Sequence, residues 1–143
     1  MAKASPARFA PAEFLRFLVA GAVGFAVDSS LALAFVHSLG WLPLPARLAS
    51  VSTGLVATWL INRHWTFRAA AQDKPARGIG AEFLGYAAVQ ATGTAVNFVV
   101  YAAIVSLIGQ APLQLMVAIA AGSATGLGLN YFGARKFVFG PKA

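Results

Sequence analysis

Arg16–Leu39, RFLVAGAVGFAVDSSLALAFVHSL, carries a single carboxylate, Asp28, well inside an otherwise apolar run. About 20 predominantly apolar residues suffice for a helix to cross a bilayer, so this stretch reads as a transmembrane helix. An acid placed in hydrocarbon costs about 3 kcal/mol by insertion scales unless it faces a partner or a wet cavity. Asp28 is therefore either a functional group or a bond to a neighbouring helix. The residues leave both readings open.

Composition extends that reading to the whole chain. Of 143 residues, 59% are hydrophobic and 10% charged, against about 25% charged in soluble domains. A soluble chain of this size could not hide so much apolar surface. The absence of cysteine excludes disulfides and thiolate metal sites. His37 and His64 lie far apart without an acidic cluster, so no metal or cofactor is expected. The net charge of +7 sits at the ends of hydrophobic segments, which suits anionic membrane lipids and the positive-inside bias. No basic stripe or recognised module accompanies it, so nucleic acid is not an expected partner. Lys3 and Arg8 before an apolar run, with Ala32-Leu33-Ala34 beyond, mimic a signal peptide. Asp28-Ser29-Ser30 breaks that run, and a related segment recurs later, so it reads as a retained helix.

Taken in order, residues 1–12 read as a polar tail and 13–139 as one all-α transmembrane domain of four helices, about 13–39, 46–66, 82–108 and 113–133. Residues 140–143 form a second tail. Prolines at 43, 45 and 112 end one helix and open the next. Residues 68–81 read as a solvated loop. An even number of crossings leaves both termini on one side. Lys3, Arg8, Arg16, Arg63, Arg68, Lys74, Arg77, Arg135, Lys136 and Lys142 share that side, while Arg47 alone lies on the other. The bias predicts cytoplasmic termini.

The second half echoes the first, as repeats 14–67 and 83–139. Phe14, Phe17, Gly24, Val27 and Asp28 align with Phe83, Tyr86, Gly93, Val96 and Asn97. Thr53-Gly54-Leu55 aligns with Thr125-Gly126-Leu127, and Arg63-His64-Trp65-Thr66-Phe67 with Arg135-Lys136-Phe137-Val138-Phe139. Two helices per repeat imply a parallel arrangement about an axis along the membrane normal. Asp28 and Asn97 are then equivalent and can face each other across that axis. Gln90 lies two turns from Asn97 on one face of the third helix. Such polar residues either line a groove or bond neighbouring helices, as expected of Thr92 and Thr94. Small residues at helical spacing (Ala20-Gly24, Ser50-Gly54, Gly122-Gly126) allow helices to approach closely.

Arg63 and Arg135 close the second and fourth helices, each followed two residues on by a large aromatic, Trp65 or Phe137. Such an arginine either anchors its helix at the interface or offers its fork to a phosphate. Together with Lys136 the two would form a phosphate-binding rim. No Ser-His-Asp set, carboxylate pair, glycine-rich phosphate loop or metal cluster is present, so the chain reads as a non-enzyme.

The opening Phe17, Gly21 and Gly24, the acid Asp28, and the ending Asn62-Arg63-x-Trp65-Thr66-Phe67 resemble the GtrA-like family. Asn130-Tyr131-Phe132 through Arg135-x-Phe137-Val138-Phe139 fits the same pattern, and the resemblance covers about Phe14 to Phe139. It implies a bacterial inner-membrane protein of cell-surface polysaccharide synthesis. Such a protein would move polyprenyl-phosphate-linked monosaccharide between leaflets beside a membrane-bound glycosyltransferase. The positions carried over are Asp28, Asn62, Arg63, Trp65, Phe67, Asn130, Arg135 and Phe137. Ala134 stands where the first half has Asn62, which breaks strict symmetry. On this reading Arg63, Arg135 and Arg16 hold the phosphate, while Asp28, Asn97 and Gln90 meet sugar hydroxyls. Two other readings compete: a proton-coupled exporter like the small multidrug transporters, with Asp28 exchanging a proton for a cation, and a non-transporting scaffold for a glycosyltransferase. Four short helices enclose little volume, so self-association, most simply a dimer, is expected.

Overall fold

The computed structural model describes residues 10–72, 78–109 and 111–140. Among them there are helices and turns but no strand. Helix α1 (Pro11–Leu33) opens with a proline in its first turn and places Glu13 there. Proline presets the helical φ without wasting a donor, and an acid complements the positive end of the helix dipole. The helix continues as a π-helical turn, Ala34–Ser38. Helix α2 (Pro43–Ile61) runs into a second π-turn, Asn62–Thr66. A short helix α3 follows, Arg68–Gln72. Helix α4 spans Ile79–Ile108 and α5 spans Pro112–Gly133, the latter continuing as a third π-turn, Ala134–Val138.

Four spans of 28, 23, 30 and 27 residues result, Pro11–Ser38, Leu44–Thr66, Ile79–Ile108 and Pro112–Val138. At about 1.5 Å per residue each is long enough for a hydrocarbon core of about 30 Å. The fold is all-α with four candidate membrane-crossing helices.

Two boundaries differ from the sequence reading. The fourth span continues past 133 because the backbone changes to a wider hydrogen-bond ring instead of ending: the Phe139 N–H donates to the Ala134 carbonyl at 2.8 Å. Within the stretch read as a loop, residues 68–72 are helical and α4 begins at Ile79. The remaining charges of that stretch, Asp73, Lys74 and Arg77, lie outside the described residues.

The chain divides into two compact units, Met1–Pro75 and Ala76–Ala143, each organised around one helical hairpin. In the first, α1 packs along α2. A methyl group built on Gly54 would sit 2.9 Å from the Gly24 carbonyl oxygen and 3.0 Å from Asp28 Cβ. Added at Gly24, it would collide with the Thr58 hydroxyl. In the second unit, α4 packs along α5 in the same way. Gly126 presses on the Gly93 carbonyl and Asn97, and Gly93 lies under the Asn130 amide. Only glycine lets the backbones come so near.

At the open end of each hairpin an aromatic pair fills the interior. Phe17 meets Phe67 with ring centroids 6.1 Å apart and planes at 58°. Tyr86 meets Phe139 at 6.2 Å and 57°. All four rings are buried, in tilted arrangements that aromatic pairs favour. Outside these seams large apolar side chains point away from the protein, among them Phe25 at 72% and Leu107 at 82% exposed. Exposed apolar surface on this scale needs lipid as its solvent.

Candidate functional site

Asp28 lies on α1 against the second turn of α2. Arg47 Nη1 donates to both of its carboxylate oxygens, at 2.7 and 2.6 Å. The Ser50 hydroxyl donates to Oδ1 at 2.7 Å. Ser50 is fully buried, the Asp28 side chain is 14% exposed and that of Arg47 58%. The acid is thus held within its own hairpin by a guanidinium and a hydroxyl. An unaccompanied carboxylate in this setting would be strongly unfavourable. Nearby, at the turn, Phe35 stacks on Trp41 with centroids 4.7 Å apart.

Asn97, the residue aligned with Asp28, is half-buried on α4 against Gly122 and Gly126. A methyl on Gly122 would fall 2.6 Å from its side-chain oxygen. Gln90 is half-buried two turns earlier on the same helix. Asn130 projects from α5 onto Gly93, and its Oδ1 is enclosed without a hydrogen-bond donor among the described residues. Thr92 instead bonds back to the Ala88 carbonyl at 2.9 Å.

The open end of the first hairpin brings together Arg16, Trp65, Arg63 and Trp59. The Arg16 guanidinium stands 5.9 Å from the Trp65 ring centre, and that of Arg63 stands 5.9 Å from Trp59. The π-turn makes this possible: across Asn62–Thr66 it buries Asn62 and Thr66 while Trp65 faces outward. In the second hairpin Arg135 is half-buried and Lys136 lies 5.4 Å from the Phe137 ring. There Ala134 and Val138 are buried where the first hairpin buries Asn62 and Thr66. A cation over an aromatic face gains about 0.5–1 kcal/mol when exposed.

Two parts of this arrangement escaped the residue-level reading. One is the Arg47 partnership with Asp28. The signal available was a lone acid and a lone cation flanking one turn. The other is Glu13 with Glu82, related by the same offset that relates Asp28 to Asn97, each in the first turn of its helix. Glu82 is 9% exposed, a buried acid in the first turn of α4. Among the described residues no group of three or more His, Cys, Asp or Glu is placed to hold a metal.

A comparison with curated proteins gives no match. A comparison with family models matches residues 16–142 to one described as "GtrA/DPMS, transmembrane domain". The match takes in both hairpins, the Asp28–Arg47 pair and both basic, aromatic helix endings. This multi-pass membrane chain therefore belongs to the GtrA/DPMS transmembrane domain family.

Proposed function

We propose that the protein carries polyprenyl-phosphate-linked monosaccharide across the bacterial inner membrane, with both termini cytoplasmic and the two hairpins related as parallel repeats. The observation that carries this reading is the pair of equivalent open ends. Each sets guanidinium or ammonium groups on aromatic rings at the end of a membrane span, where a lipid phosphate would lie. Family membership supports the lipid-linked sugar as the class of cargo.

In this reading Arg16 and Arg63 take the phosphate, with Trp65 beneath Arg16 as its platform and Asn62 in the same turn as Arg63 and Trp65, and Arg135 and Asn130 are the candidate phosphate ligands of the second hairpin. Gln90 and Asn97 offer hydrogen bonds to sugar hydroxyls. Asp28 already accepts three hydrogen bonds, so its part is to hold Arg47. No catalytic group is required. The protein would work beside a membrane-bound glycosyltransferase and as a homodimer. An exporter of cations needs a carboxylate vacant for its guest, and the engagement of Asp28 by Arg47 weighs against that alternative.

The test is flipping of a fluorescent polyprenyl-phosphate sugar in liposomes containing only this protein. Accelerated flipping in the wild type, reduced at least tenfold in Arg63→Ala, is expected. If flipping matches that of empty liposomes, while liposomes carrying this protein retain an added glycosyltransferase that empty ones do not, the scaffold reading replaces this one.

A further inference from the structure

Arg47 carries more binding capacity than its known partner uses. A guanidinium presents five N–H donors in a fixed fork. Both bonds to Asp28 come from the one nitrogen Nη1. Among the described residues, the edge formed by Nε and Nη2 meets no protein acceptor, on a side chain that is 58% exposed. Donors left bare at a membrane surface take water or an anion, since leaving them unsatisfied costs several kcal/mol.

The group is also held in place. Asp28 is fixed by the buried Ser50, whose hydroxyl additionally lies 3.1 Å from the Arg47 carbonyl. Arg47 itself is four residues into α2, about 6 Å along the helix axis, and so near the head-group level.

The second hairpin supplies a control within the molecule. At the aligned positions it has Asn97, Ile119 and Gly122 in place of Asp28, Arg47 and Ser50. Its helices still close on one another through glycine. The ion pair with its serine is therefore no requirement of the hairpin. It also opposes the charge bias of the chain, which places the other ten cations with the termini and helix endings.

We propose that Arg47, oriented by Asp28 and Ser50, is a second phosphate-binding site at the turn end of the first hairpin, and that it takes the phosphate of a polyprenyl lipid through its Nε/Nη2 edge. The inference rests on the translocation reading for the identity of the lipid and adds a receiving site at the opposite end of the span from Arg16 and Arg63. An exposed guanidinium edge suits the two oxygens of a phosphate.

Native mass spectrometry of the purified full chain with polyprenyl monophosphate tests it. Arg47→Gln alone leaves Asp28 buried and unpaired, so R47Q/D28N, which removes both charges together, is the decisive variant, with R47K and R63A beside it. The wild type is expected to carry two polyprenyl phosphates per chain. R47Q/D28N should carry one, R47K should hold the second about tenfold more weakly, and R63A should keep the Arg47-dependent adduct. Retention of both adducts by R47Q/D28N overturns the site, whatever R63A does. Displacement of the Arg47-dependent adduct by an equal concentration of phosphatidylglycerol or of inorganic phosphate overturns the polyprenyl assignment. If R63A loses no adduct while R47Q/D28N loses one, the Arg47 site stands and the Arg63 role in the translocation reading falls.

Discussion

The two hairpins share a plan but solve their interiors with different chemistry. Both close through glycine on glycine, both end in a π-turn, and both seal the open end with a tilted aromatic pair. At the contact between helices, however, the first places Asp28 with Arg47 and Ser50, and the second Asn97 with Gly122 and Gly126. In the π-turns the first buries Asn62 and Thr66, the second Ala134 and Val138. The plan belongs to the glycines and aromatics, which both halves keep. The polar groups of the first hairpin are additions to it.

Charge changes carry the largest expected effects. Arg47→Ala leaves Asp28 largely buried without its counter-ion and should destabilise the protein by about 3 kcal/mol, measured by detergent-denaturant unfolding. Adding Asp28→Asn should recover most of the loss. If it does not, Arg47 supports the hairpin by packing and the pair is no addition. Asn97→Asp, which gives the second hairpin an acid with no arginine at the matching place, should cost about as much.

Steric changes come next. Gly126→Ala forces a methyl to 2.6 Å from the Gly93 carbonyl and should cost about 2 kcal/mol through overpacking. Gly128→Ala, with nothing within 4 Å of the added carbon, should raise stability by up to about 1 kcal/mol, since alanine loses less backbone freedom in a helix than glycine. Equal effects at the two positions would mean that the helices of this hairpin separate more freely than the glycine contacts imply.

The mildest test exchanges the buried π-turn residues. The Thr66 hydroxyl is enclosed without a hydrogen-bond partner among the described residues, and its counterpart is Val138. Thr66→Val should therefore raise stability by up to about 1 kcal/mol, and Val138→Thr should lower it by about 1–2 kcal/mol. A loss on Thr66→Val would point to a use for the hydroxyl beyond the fold.

Much of the fold was open to reading from residues alone, because hydrophobic length and charge asymmetry are properties of composition along the chain. Four spans, their turns and the halves' correspondence follow from such patterns. Which face of a helix meets its neighbour does not. Gly21 and Gly24 look alike in sequence, yet Gly21 has open space around it and Gly24 lies under Thr58. For the same reason Asp28 was visible as an anomaly while Arg47, across the turn, was not visible as its partner. The π-turns escaped because a five-residue ring has no sequence signature comparable to proline or glycine. Of the site, the arginines and aromatics of the helix endings were legible through their repetition. Glu13 and Glu82 repeat as regularly, but an acid in a first helical turn has an ordinary place beside the helix dipole and carries no further signal.

The π-turns have a further consequence when regarded as insertions. Each holds one residue more than the α-helical ring it replaces, and one residue is about 100° of rotation around a helix. Removing a single residue from Asn62–Thr66 or Ala134–Val138 would restore ordinary winding and swing Phe67 or Phe139 away from Phe17 or Tyr86. A one-residue deletion there would unseat the whole aromatic plug. The reading frame of these two turns, more than the identity of any residue in them, sets which side chains close the protein and which reach out to the lipid.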